Sequence, residues 1–210
     1  MSTIINATTT NGVVIQPDNS GSLVLQTNSG TTALTISTAQ NATFAGTVTL
    51  PTGTVYPLVS STAVASTSGT SIDFTSIPSW VKRITVMFSG VSINGTTTLI
   101  VQLGDSGGIE TSGYLGTTAY FGTSQAGATV TTGMPIGALA AADTIHGIAT
   151  ISLLTSTTWS FSSTTSQSNG AYCYAGASSK SLSDILDRIR LTTTNGTSLF
   201  DAGSINILYE

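Results

Sequence analysis

Over residues 81–88 apolar and polar side chains alternate, with Ile84, Val86 and Phe88 set between Arg83, Thr85 and Met87. A period of two sends one set to a buried face and the other outward, so the pattern predicts a half-buried strand. Ser92-Ile93-Asn94-Gly95 reads as a hairpin-type turn, with a return strand through Leu99, Val101 and Leu103. Further strands are predicted at 148–154, 158–162, 171–175, 185–192 and 204–209, with a turn at Asn195-Gly196. Residues 181–190 have some helical character, and Ser183 could cap a turn. The clean alternation of Ile185, Asp187, Ile189 and Leu191 with Leu186, Arg188 and Arg190 favours a short turn followed by a strand. Residues 123–147, rich in Gly and Ala, read as long loops forming a distal surface.

The first 58 residues have a different rhythm. Short apolar groups recur about every ten residues: Val13-Val14-Ile15, Leu23-Val24-Leu25, Leu34-Thr35-Ile36 and Ala42-Thr43-Phe44, then Val48-Thr49-Leu50. Turn formers such as Pro17-Asp18-Asn19-Ser20-Gly21 and Asn28-Ser29-Gly30 separate them. Each unit is too small to bury itself, and the apolar side chains are too few to offset the entropy of ordering the segment. A segment of this kind is expected to share a core with neighbouring copies as a trimeric stalk, or else to add strands to the following domain. Residues 60–70, rich in Ser, Thr and Ala, read as a linker merging into an edge strand. The expected organisation is therefore all-β: an N-terminal stalk over 1–58 and a C-terminal, jelly-roll-like β-sandwich over 59–210.

Composition sharpens this picture. Only 7% of residues are charged while 40% are hydrophobic, and about a third are Ser or Thr, so polarity comes from hydroxyls. That profile argues against disorder and against helices, whose surfaces favour Glu, Lys, Arg and Gln. With a net charge of -4 and only Lys82, Arg83, Lys180, Arg188 and Arg190 as cations, no basic footprint for nucleic acid is present. No apolar run approaches the roughly 20 residues that span a bilayer, so membrane insertion is not expected. The start, Met1-Ser2-Thr3-Ile4-Ile5-Asn6, lacks the pattern of a secretory leader, which favours assembly in a cytoplasm.

Candidate chemistry is sparse. Gly104-Asp105-Ser106-Gly107-Gly108 matches the pentapeptide around the nucleophile of chymotrypsin-like proteases. The single histidine, His146, follows the serine instead of preceding it, so a turn is the better reading. One His and one Cys, Cys173, suggest no metal site, and no cofactor motif is found. Of the possible carboxylate pairs for sugar hydrolysis, Asp184 with Asp187 and Asp105 with Glu110 are closest in sequence, and neither lies among aromatic platforms. No catalytic residue is assigned, and the chain is expected not to be an enzyme. Tyr114, Tyr120 and Phe121, with Tyr172 and Tyr174, lie in Gly-rich surroundings. These five are the candidate binding residues, because exposed aromatics among hydroxyls grip sugars or surface proteins.

Residues 21–36 and 40–48 resemble the repetitive segments of tailed-phage fibre and virion proteins. Residues 72–88, 102–114 and 200–210 resemble a C-terminal domain shared by phage tail fibres. The resemblance implies a homotrimer in the virion, with its N-terminal part attached to a baseplate, tail or other virion protein. Its C-terminal part would face a host glycan or surface protein. A short tail fibre mediating adhesion is the leading expectation; a capsid decoration, cement or head-fibre protein is the alternative.

Overall fold

The computed structural model describes residues 21–27, 30–47, 49–50, 53–54 and 56–210. The expected repeat units before residue 21 lie outside the described residues. Two compact units divide the chain at Val55/Tyr56. All described elements are strands paired antiparallel.

In the first unit, β1 (Leu23–Thr27), β2 (Thr31–Ile36) and β3 (Ala42–Phe44) form a three-stranded sheet in that order. The two-residue strands β4 (Thr49–Leu50) and β5 (Gly53–Thr54) pair separately. No side chain described between residues 21 and 47 is buried, and Val24, Leu25 and Phe44 are 42, 41 and 53% exposed. Leu23, Leu34 and Ile36 are half-buried, so none of the apolar groups described between residues 21 and 47 is fully covered within this unit.

The second unit has two sheets. The larger is nine-stranded. Its main path is β13 (Gln125–Val130), β12 (Leu115–Gly122), β17 (Tyr172–Ser181), β16 (Thr158–Gln167), β15 (Ile145–Thr155), β9 (Arg83–Ile93) and β19 (Phe200–Tyr209). The free edge of β19 is lined by β6 (Val59–Ser60) and β7 (Val64–Ala65). In the five-stranded sheet, β18 (Arg188–Thr193) joins β8 (Ile72–Phe74) to one edge of β10 (Thr97–Asp105). The other edge of β10 carries β14 (Met134–Leu139) and then β11 (Gly108–Ile109).

One continuous core lies between these sheets. Ile84, Val86, Ile151, Phe161 and Ile205 come from the larger, and Leu99, Val101, Met134, Ile136 and Leu191 from the smaller. Each buried aliphatic side chain contributes about 1.5–3 kcal/mol by leaving water.

Three expectations are corrected. β9 and β10 are not a hairpin, because each pairs within a different sheet. The bend between them is held from outside: Asn94 donates its backbone N–H to the Leu199 carbonyl and accepts the Leu199 N–H at its Oδ1, both at 2.9 Å. From Leu99 onward every residue of β10 is buried, so this strand occupies the middle of its sheet. Residues 123–147 are not long loops; they contain β13, β14 and the start of β15. Small residues let these strands pack closely, and a Cβ on Gly137 would stand 2.8 Å from the Tyr174 ring. Pro135, which cannot donate to a ladder, sits beside the register shift between Leu99 and Ile100. The strand expected at 185–192 begins only at Arg188. Leu182 and Leu186 pin the preceding turn to the core while Ile185 is exposed.

Residues 60–70 do merge into the sheet edge, where Ser66 donates from its backbone N–H to the Gly203 carbonyl and from Oγ to the Ala202 carbonyl. Here β9 and β19 bulge together. Gly90 and Gly203 have φ of +63° and +92°, and a Cβ on Gly203 would stand 2.3 Å from the Gly90 carbonyl oxygen. Gly203→Ala is expected to cost at least about 2 kcal/mol in urea denaturation, combining strain with a backbone clash. Gly196→Ala, at φ +66° but facing open space, is expected to cost about 1 kcal/mol.

Candidate functional site

One end of the two-sheet unit gathers the tip of β12, the start of β17, the end of β16, the start of β10 and the loop after β14. Between them lies an open cleft of about 340 Å3 lined by Thr96–Thr98, Tyr120, Ala138–Ala140, Asp143, Gln167, Tyr172 and Tyr174. Alternation along β12 turns Tyr120 inward, opposite Tyr174 of β17. Its ring meets Tyr172 edge-on with centroids 5.5 Å apart, and Tyr174 at 6.1 Å. A smaller hollow of about 150 Å3, lined by Tyr120, Tyr174, Ala126 and Gly127 among others, lies against the same two rings.

A hydrogen-bond chain fixes the polar part of the cleft. Gln167 donates from Nε2 to the Asp143 carboxylate at 2.7 Å and to the Tyr174 hydroxyl at 2.6 Å. The Asp143 carboxylate also accepts the Ala140 N–H at 2.7 Å. At the other rim Thr123 donates to the Tyr172 hydroxyl at 2.6 Å, with the Ser124 hydroxyl 3.4 Å away. Ser124 and Thr123 hold the Tyr172 phenol below its ordinary pKa of 10.0. Burial, assisted by the nearby Asp143 charge, pushes Tyr174 above that value. The cleft is therefore an aromatic wall with one carboxylate and a rim of hydroxyls and amides, which can stack on a ligand and hydrogen-bond its edges.

The five aromatic residues singled out in the sequence separate. Tyr120, Tyr172 and Tyr174 line the cleft, although Tyr174 is only 3% exposed and serves mainly as its floor. Phe121 points to the opposite face of β12, where it is 52% exposed. Tyr114 is not an exposed binding residue, since its exposure is 0%. Its hydroxyl accepts the Leu103 N–H at 2.7 Å and donates to the Glu110 carbonyl at 2.8 Å, tying the approach to β12 onto the β10–β11 hairpin. Thr96–Thr98, Asp143 and Gln167 were not singled out in the sequence; they have no shared motif and converge only through the fold.

Gly104–Gly108 forms the β10–β11 hairpin, with the Gly107 N–H donating to Asp105 Oδ1 at 2.8 Å. Ser106 stands in this turn of the five-stranded sheet. His146 lies on β15 of the other sheet, its Nδ1 accepting the Gly90 N–H at 3.2 Å. Among the described residues, no three His, Cys, Asp or Glu side chains gather as a metal site, and no helix is long and apolar enough to cross a membrane. No protein-family model matches the chain, and no curated protein or solved structure matches it either.

Beside the hairpin, the Ser183 hydroxyl lies 2.7 Å from Asp105 Oδ2 and 2.9 Å from Glu110 Oε1, and Glu110 is ion-paired with buried Lys180. Hydrogen bonds from Ser183 and Gly107 hold Asp105 below 3.8. Burial pushes Glu110 up, but Lys180 and Ser183 outweigh it and hold it below 4.5. Carboxylates depressed in the fold add stability that is fully present above their unfolded values and is lost as pH falls through the folded ones. Ser183→Ala is accordingly expected to destabilise the chain at pH 7, with the deficit relative to wild type shrinking below about pH 4. Urea titrations at several pH values measure this difference.

Proposed function

We propose that this chain is a bacteriophage virion structural protein, a short tail fibre that adheres to the host surface. The tyrosine cleft carries the adhesive part of this reading. Its rings offer flat apolar faces and its rim offers hydroxyl, amide and carboxylate partners, the combination that suits a neutral or amino sugar. A single uncompensated carboxylate at Asp143 disfavours acidic sugars.

The first unit supports the fibre part. Its sheet buries none of its described side chains between residues 21 and 47, so a shared core between three copies supplies what the single chain lacks. In this reading residues 1–58 form the trimeric stalk that joins a baseplate, tail or other virion component. Residues 59–210 form the distal jelly-roll-like domain, with the cleft presented to a cell-surface glycan or protein.

A glycan array probed with the purified full chain tests the adhesive role. Retention of a neutral or amino-sugar glycan is expected, reduced at least tenfold by Tyr120→Ala or Tyr172→Ala and unaffected by Phe121→Ala. Binding indifferent to both tyrosine substitutions, or no retained glycan at all, contradicts the assignment of the cleft to a sugar.

A further inference from the structure

The nine-stranded sheet has a second face, turned away from the core. Registers across its strands define the rows of side chains there. One row runs Thr129, Thr117, Ala177, Ser162, Thr150 and Thr85. The next runs Ala119, Ala175, Thr164, Ile148, Met87 and Asn206. Neither row holds a charged side chain. The flanking rows end at Arg83 and His146 respectively, and carry otherwise Ser, Cys, Leu115 and Phe121 over strands β12 to β15. Large apolar groups stand exposed on this face: Leu115 at 75%, Phe121 at 52% and Ile148 at 51%.

The outer side of the five-stranded sheet is different. Arg190 and Asp73 form a two-pronged ion pair there, with both hydrogen bonds at 2.7 Å, and Arg188 pairs with Asp187. An ordinary wet sheet face carries such charges. Their absence from the two central rows of the nine-stranded sheet, with Arg83 and its partner Glu210 kept to one margin, matches the core of a protein interface, where charged residues are depleted.

We propose that the outer face of the nine-stranded sheet is where one copy of this chain packs against a second copy. A surface that meets an identical molecule must avoid opposing like charges, and this one has none in its two central rows. Its polar groups are mostly hydroxyls, which both donate and accept, so the same face of neighbouring copies gathered about a three-fold axis can satisfy one another. Seven strands at about 4.8 Å spacing and four rows of side chains span about 30 by 20 Å, or roughly 600 Å2 before side-chain relief is added. That approaches the roughly 800 Å2 per partner of a stable complex. The proposal is independent of what the tyrosine cleft binds.

The test labels a single thiol on the full chain with a maleimide, in a Cys173→Ser background. Ser162→Cys places the thiol at the centre of the face, and Asp184→Cys places it in an exposed loop as a control. Labelling of S162C is expected to be at least tenfold slower than that of D184C. Adding Ile148→Lys, which sets a charge on an exposed position within the second central row, is expected to bring the two rates together while the circular dichroism spectrum stays unchanged. Equal rates without Ile148→Lys would overturn the proposal. So would protection in a chain that sediments as a monomer, which would mean that another part of the same chain covers the face. Protection that persists in folded Ile148→Lys would overturn it too.

Discussion

Strand pairing forces each side chain of the nine-stranded sheet onto one of two faces, and the five-stranded sheet covers only one of them. Much else in the second unit follows from that constraint. The covered face collects Ile84, Val86, Ile151, Phe161 and Ile205. Its alternation requires that Tyr120 and Tyr174 point inward where the smaller sheet ends, so the core opens into a tyrosine-lined cleft instead of closing. The same alternation sends Phe121, Ile148 and Ser162 to the uncovered face, with small hydroxyl-bearing and apolar neighbours.

With so few charges, those present are placed in pairs. Asp73 with Arg190, Asp187 with Arg188, Glu110 with Lys180 and Glu210 with Arg83 account for most of the ionised groups of this unit. The exposed pairs contribute little stability each. Lys180 is the exception in burial, and its partner Glu110 together with Ser183 and Asp105 locks the β10–β11 hairpin against the turn before β18. A sequence that looks protease-like at Gly104–Gly108 is thus, in this structure, a hairpin turn with its carboxylates engaged.

The alternation at 81–88 and 204–209 was legible because those strands turn only one face to the core, and the all-β architecture followed from many such segments. β13 escaped notice because its Ala, Gly and Thr leave no contrast between faces, and β14 because Pro135 and Gly137 interrupt a short run that is buried almost throughout; their strand character comes from the neighbours they pair with. The Asn94–Gly95 turn signal marked a bend correctly but did not reveal which sheet the next strand joins. Tyr120, Tyr172 and Tyr174 were found as exposed-aromatic candidates, whereas Asp143, Gln167 and Thr96–Thr98 reach the cleft from segments far apart in sequence. Tyr114 has the same composition signal as Tyr120, and only the fold distinguishes a buried hydrogen-bonded anchor from a cleft wall.

The proposed association of identical chains would cover both the apolar side chains that the first unit leaves unburied and the uncharged central rows of the larger sheet. Light scattering on the purified full chain measures this most directly. The account predicts a solution mass near three times 21.3 kDa; a monomeric mass at micromolar concentration would contradict it.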